Sequence, residues 1–230
     1  MKVLLWDIDG TILNFIAAEK AAIRTGFKRL NLGECTDEML SVYSNINVGY
    51  WKKLELGEMS KSEILIARFR DFFEKYGLDV SLAETFNAKY QIDLGDTVCF
   101  NDNSFEILKR LNNEYMQYAV TNGTAVAQHK KLSVSGLDDI FIHAFISDEI
   151  GAEKPSVAFF EKVFERLKND CGDIDKNEIM IIGDSLSSDI KGGNNAGIVT
   201  CWYNPGKNEL KQGYSVDYEI ADINDIFSIL

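Results

Sequence analysis

The sequence predicts an α/β fold: a parallel β-sheet covered by helices on both faces, with a second, all-helical unit inserted into it. Three observations predict it. Short apolar runs recur along the chain, beginning with Val3, Leu4, Leu5 and Trp6. Between most of them lie stretches whose apolar residues repeat every three or four positions, as on one face of a helix. From residue 14 to about residue 100 the alternation stops, and only helical patterns remain.

The first run ends at Asp7, as a buried parallel strand does when it carries a polar group to its C-terminal end. Residues 118–120, 144–146, 179–182 and 199–202 predict further strands of the same kind, and residues 217–230 a last strand followed by a short helix. Phe105, Leu108 and Leu111 mark a helix before the second strand. Phe160, Val163, Phe164 and Leu167 mark another within residues 156–169. In the interrupted region the clearest helix opens with Ser60 and Glu63, a capping-box pair, and carries Leu65, Phe69, Phe72, Phe73 and Tyr76 as its apolar stripe. It stops at Gly77. The expected division is a three-layer, Rossmann-like core of residues 1–13 and 101–230, with a helical cap domain of residues 14–100. In such sheets ligands bind beyond the carboxyl ends of the strands, where Asp7, Thr121 and Asp184 are expected to meet.

Composition narrows the partners. With 24 Lys and Arg against 36 Asp and Glu, the net charge of −12 opposes a large nucleic-acid polymer or an anionic membrane surface, and no basic run offsets it. A small phosphate remains compatible, since a metal ion, a lysine and helix N-termini act locally. Cys35, Cys99, Cys171 and Cys201 form no CxxC pair and are expected to be reduced thiols. The N-terminus has the pattern of neither a secretory signal nor a membrane span, so a cytoplasmic location is expected.

Four motifs carry chemistry. Residues 7–11 read DIDGT: two carboxylates two positions apart, on a turn loosened by Gly10, can present one group to an electrophile and keep the other for proton transfer. Residues 121–123 read TNG, where a hydroxyl and neighbouring backbone N–H groups can donate to phosphate oxygens; taken singly, this is more often a plain turn. Residues 151–156 read GAEKPS, which sets Lys154 at the end of a fourth strand-like segment and Pro155 at the start of a helix. Residues 179–197 read IMIIGDSLSSDIKGGNNAG. There Asp184 can ligate a hard cation, Asp189 can orient the site from behind, and Ser185 and Ser187 can cap a helix.

In this order, and after these strands, the motifs resemble those of the haloacid dehalogenase-like phosphohydrolases, with the helical insertion similar to that family's first-type cap. Trp51 with the following LELGEMS run, TNGTAVAQHKKL, and GDSLSSDIKGGNNAG leading to TCWYNP resemble the noncanonical pyrimidine 5'-nucleotidases. The resemblance implies a phosphatase with Asp7 as nucleophile and Asp9 as acid and then base. It implies Mg²⁺ held by Asp7, Asp184 and the Asp9 main-chain carbonyl. Phosphate contacts would come from Thr121, Asn122, Gly123, Lys154 and the first loop at Ile8, Gly10 and Thr11. The implied substrate is a small phosphate monoester such as a nucleoside monophosphate, with Asn47, Tyr50, Trp51, Lys52 and Arg68 of the cap as contacts beyond the phosphate. A monomer and a homodimer are both compatible with the sequence.

Other outcomes share these residues. A phosphosugar phosphatase or a phosphomutase uses the same core, and a non-catalytic phospho-ligand binder could retain it, although none of the six matching positions, Asp7, Asp9, Thr121, Lys154, Asp184 and Asp189, is missing. A dehalogenase lacks the second aspartate. A phospho-accepting receiver is about half this length and places its acceptor on a later strand.

Overall fold

The computed structural model describes residues 1–230. Six strands form one parallel sheet: β1 (Val3–Trp6), β2 (Met116–Thr121), β3 (His143–Ile146), β4 (Ile179–Gly183), β5 (Val199–Tyr203) and β6 (Tyr218–Ile220). Their order is β3-β2-β1-β4-β5-β6, so β1 lies inside the sheet between β2 and β4. Trp6 is in register with Ala119 of β2 and Ile182 of β4, which sets the ends of the three strands side by side.

The pleat sends alternate residues to opposite faces. Leu4, Trp6, Ala119, Met180 and Ile182 pack with Ile107, Leu108 and Leu111 of helix α5 (Ser104–Leu111). Val3, Leu5, Tyr118, Val120, Ile179 and Ile181 pack on the other side. Their partners are Phe159, Phe160, Val163 and Leu167 of α8 (Val157–Cys171). α7 (Ser147–Ile150) and α9 (Lys191–Ala196) lie on the α8 side through Ile150 and Ala196, whereas α6 (Ala125–Ser135) contributes Leu132 to the α5 side.

Between β1 and β2 run α1 (Phe15–Leu30), α2 (Asp37–Glu55), α3 (Lys61–Lys75) and α4 (Ala83–Leu94). They enclose their own apolar cluster of Phe27, Tyr43, Phe69, Phe72, Phe73, Phe86 and Tyr90, to which α6 contributes Ala127. The capping box at Ser60 and Glu63 forms. The stripe on α3 differs by one residue from expectation: Ile64 is buried and Leu65 half-buried, because Leu65 lies about 100° further round the helix. The chain enters and leaves this insert side by side. Leu13 and Phe100 form an antiparallel bridge, Asn14 N–H donates to Cys99 O at 2.7 Å, and Asn101 N–H donates to Ile12 O at 2.9 Å.

Two placements around Lys154 depart from the sequence reading. Lys154 follows the third strand, with α7 intervening, because residues 144–146 are followed by one helical turn rather than by another strand. Pro155 precedes the helix rather than opening it: Ser156 is the N-cap of α8, accepting from Phe159 N–H. All four cysteines are free thiols. No helix is long and apolar enough to cross a membrane.

Candidate active site

The site is built where β1, β2 and β4 end. Asp7 leaves β1 with its N–H still bound to Ile182 O at 2.9 Å, so the sheet fixes its backbone and aims its side chain past the strand ends. The chain then turns tightly, with Gly10 N–H donating to Leu13 O and Leu13 N–H to Ile8 O. Gly10 has φ +100°, and a Cβ there would come within 2.7 Å of the Asp184 carboxylate, so the turn requires glycine twice over. Asn101, just beyond the insert, ties the turn down by donating to Gly10 O and Thr11 O.

Asp7, Asp184 and Asp189 present carboxylate oxygens that all lie within 4.8 Å of one another. One cation faces them. The Lys154 ammonium donates to Asp7 at 2.8 Å, Asp189 at 2.6 Å and Val120 O at 2.7 Å, and is 1% exposed. The Thr11 hydroxyl stands between Asp7 and Asp184, 3.2 Å from each, and accepts from Asp184 N–H at 3.1 Å. Its single proton can serve one carboxylate at a time.

Three acids and one base therefore crowd together: Asp7, Asp189 and Lys154 are buried, and Asp184 stands exposed at the mouth of the cluster. Burial raises the pKa of Asp7 well above the usual carboxylate range; Lys154 works against the rise, while Asp189 and Asp184 add to it. Asp184 is pushed up to about 7 by burial first and then by the charge on Asp189. Burial acts against the charge on Lys154, yet Asp189 and Asp7 hold its pKa above the ordinary lysine value. The surplus negative charge and the oxygen-only donors suit a hard divalent cation such as Mg²⁺.

The supporting residues lie close by. Asn122 clamps the Lys154 loop, donating to Lys154 O at 2.8 Å and accepting from Lys154 N–H at 2.8 Å. Thr121 is 2% exposed and accepts from Gly123 N–H. The N–H groups of Gly10 and Gly123, both expected at phosphate, are thus spent within their own turns. Ser185 caps the short turn Leu186–Ile190, and its N–H donates to Asp189 at 3.1 Å.

Asp9 has partners of its own. Its carboxylate does not join the acid cluster; one oxygen accepts from Lys131 Nζ at 2.5 Å and the other from Gln128 Nε2 at 2.6 Å. Sequence reasoning missed Gln128 and Lys131. Their signal was present as polar residues at i and i+3 on the inward face of α6, the helix that follows TNG.

The insert reaches the same place through groups that were also missed. Ser187 Oγ donates to Glu55 at 2.5 Å, and Ser185 Oγ approaches the same carboxylate at 3.4 Å. Lys61 Nζ binds Ser147 Oγ at 2.5 Å and Asp148 at 2.7 Å. Trp51 is half-buried on α2 one turn before Glu55, hence on the side of that helix nearest the core. The other four cap candidates are placed differently. Asn47 and Arg68 are 1% exposed and bonded to each other at 2.7 Å inside the insert, Tyr50 donates to Asp71, and Lys52 is exposed.

Comparison with known proteins agrees with this geometry. The family model for haloacid dehalogenase-like hydrolases matches residues 4–203. The chain is 36% identical to the HAD-hydrolase YfnB of Bacillus subtilis over 229 residues, covering 100% of this chain and 95% of YfnB. It is 34% identical to the pyrimidine 5'-nucleotidase PynA of Streptococcus pneumoniae over 230 residues, covering 100% of this chain and 94% of PynA. The magnesium-bound crystal form of YfnB, in which interdomain movement is described, superposes with a TM-score of 0.93 at 35% identity over 100% of this chain and 98% of YfnB.

Proposed function

Since the chain belongs to the haloacid dehalogenase-like hydrolase family and is a phosphoric monoester hydrolase, we propose that it is a Mg²⁺-dependent 5'-nucleotidase acting on pyrimidine nucleoside monophosphates through an aspartyl-phosphate. The observation that carries the phosphatase chemistry is the cluster of buried Asp7 and Asp189 and exposed Asp184 around Lys154. The nucleotide class rests on the full-length similarity to PynA.

Asp7 is the nucleophile. It stands at the end of a central strand with its backbone fixed, so the attacking oxygen is held in place before substrate arrives. Lys154 neutralises part of the charge that gathers when a carboxylate meets a phosphate, and Thr121 and Asn122 hold the loops around it. Asp7, Asp184 and the main-chain carbonyl of Asp9 would hold the cation, with Asp189 keeping Lys154 oriented. Bound there, Mg²⁺ supplies positive charge for the phosphoryl oxygens.

Asp9 is the acid that protonates the departing nucleoside oxygen, then the base that takes a proton from the water attacking the aspartyl-phosphate. Closing of the insert over the strand ends excludes bulk water, with Glu55 and Lys61 as its contacts to the core.

The test is phosphate release from nucleoside monophosphates, sugar phosphates and 4-nitrophenyl phosphate, with Mg²⁺ or with chelator, by wild type and Asp7→Asn. Highest release from uridine or thymidine monophosphate, dependent on both Mg²⁺ and Asp7, is the expected result. A preference for sugar phosphates would remove the nucleotide assignment, and release that survives chelation or Asp7→Asn would remove the mechanism.

A further inference from the structure

Lys131 is a buried cation for which the proposed chemistry has no use. Its side chain is 2% exposed, and its only carboxylate partner is Asp9, at 2.5 Å. The ring of Phe15 lies 5.3 Å from the ammonium, a further favourable contact for a cation. Gln128 is fully buried and donates to the second Asp9 oxygen at 2.6 Å. Its own Oε1 is buried with no partner. A buried amide oxygen left unpaired is costly, and the visible gain that offsets it is the bond to Asp9.

Both groups sit on one face of α6, three residues apart, and α6 begins directly after the TNG loop. Its N-cap Thr124 also donates to Gln91 of α4 at 2.8 Å. The segment from the end of β2 through α6 therefore carries Thr121 and Asn122, the two donors that grip Asp9, and a bond to the insert. A carboxylate has about four lone-pair directions; two are occupied here, which fixes the plane of the group and leaves one direction free on each oxygen.

We infer that Lys131 and Gln128 are positioning residues for the Asp9 carboxyl group: they hold its rotamer so that the proton carried at an unoccupied position of the group meets the leaving oxygen, and they link that aim to the phosphate loop through α6. The inference rests on the reading of Asp9 as the proton donor. Displacing a catalytic group by about 1 Å can cost up to about 10²-fold, which sets the scale of the expected effect.

The experiment follows single-turnover release of uridine from uridine monophosphate and of 4-nitrophenol from 4-nitrophenyl phosphate, with Mg²⁺, for wild type, Asp9→Asn, Lys131→Met, Gln128→Ala and Lys131→Arg. Departing nucleoside needs a proton, whereas nitrophenolate leaves without one. Lys131→Met and Gln128→Ala are expected to slow uridine release by about 10- to 100-fold at saturation, with the half-saturating concentration nearly unchanged and nitrophenol release much less affected. Lys131→Arg, which keeps a donor to Asp9, is expected to recover most of the loss. Should Lys131→Met not fold, Gln128→Ala reads the same contact from its other arm.

Equal losses on both substrates would overturn the inference in favour of a structural role. A raised half-saturating concentration at an unchanged rate would overturn it in favour of substrate binding. Asp9→Asn separates the two levels: if its loss is also independent of leaving group, the role assigned to Asp9 fails, and if its loss is selective while those of Lys131→Met and Gln128→Ala are not, only the positioning role fails.

Discussion

Two polar networks, one at the strand ends and one inside the insert, differ in charge balance. At the strand ends three carboxylates face one lysine. Inside the insert, Glu19 accepts from Asn47 at 2.6 Å, Asn47 accepts from Arg68 at 2.7 Å, and Arg68 and Gln91 both donate to Asn87. Thr124 of α6 then closes the chain onto Gln91. In the insert one acid matches one base, with amides filling the spaces between; at the strand ends the charges do not balance. Burial raises the pKa of Glu19 too, but Ser44, Asn47 and Arg68 draw it back, whereas Asp184 is driven up by a neighbouring acid as well as by burial. Burial of polar groups is therefore no mark of a reactive site. Uncompensated charge is, because it stores repulsion that a cation or a reacting group can relieve.

The contrast breaks most visibly at Asp7. Replacing it with Asn is expected to lower phosphate release by at least about 10⁴-fold while the fold persists, as kinetic assay and circular dichroism would show. In the insert the effect is reversed. Arg68→Met leaves Glu19 without its cation, and is expected to cost about 3 kcal/mol in urea unfolding, with Glu19→Gln in the same chain recovering part of the loss. If Arg68→Met instead left stability intact and removed activity, the insert's network would belong to the substrate site.

Asp184 sharpens the comparison through pH. Its carboxyl titrates near 3.8 when unfolded and near 7 when folded, so the metal-free fold holds the proton more tightly. The stabilisation this brings is complete below the unfolded value and is lost as pH rises through about 7. Because Asp184 is exposed and solvent screens its charge, the thermal midpoint of metal-free protein is expected to fall only slightly between about pH 5.5 and about pH 8, and less so in Asp184→Asn. Mg²⁺ should raise the midpoint more at the higher pH, since its ligands must be ionised. The smallest effect is expected at Glu55, half-buried between the insert and the core. Glu55→Ala removes its bond from Ser187 and should lower unfolding free energy by about 1 kcal/mol.

Much of the core was legible because its signals are local. Apolar runs of a few residues marked β1, β2, β4 and β5, and the polar residue following each central run proved to stand at a strand end. The capping box and the glycine stop of α3 were likewise written within a few positions of the residues they govern. The displaced readings, Leu65 for Ile64 and Pro155 as a helix opener, are errors of one or two positions, the distance over which periodicity and capping signals overlap.

By itself the sequence determined that Asp7, Thr121 and Asp184 stand at the ends of the central strands, since a strand's direction and end follow from a short apolar run and the polar residue after it. The tertiary structure alone decided what each of those groups faces. That Asp9 turns to Lys131, 122 positions away, that Ser187 meets Glu55 across 132, and that Arg68 is spent inside the insert depend on packing between elements. No local period encodes such contacts, because they form only when separate helices and strands are brought together around shared cores.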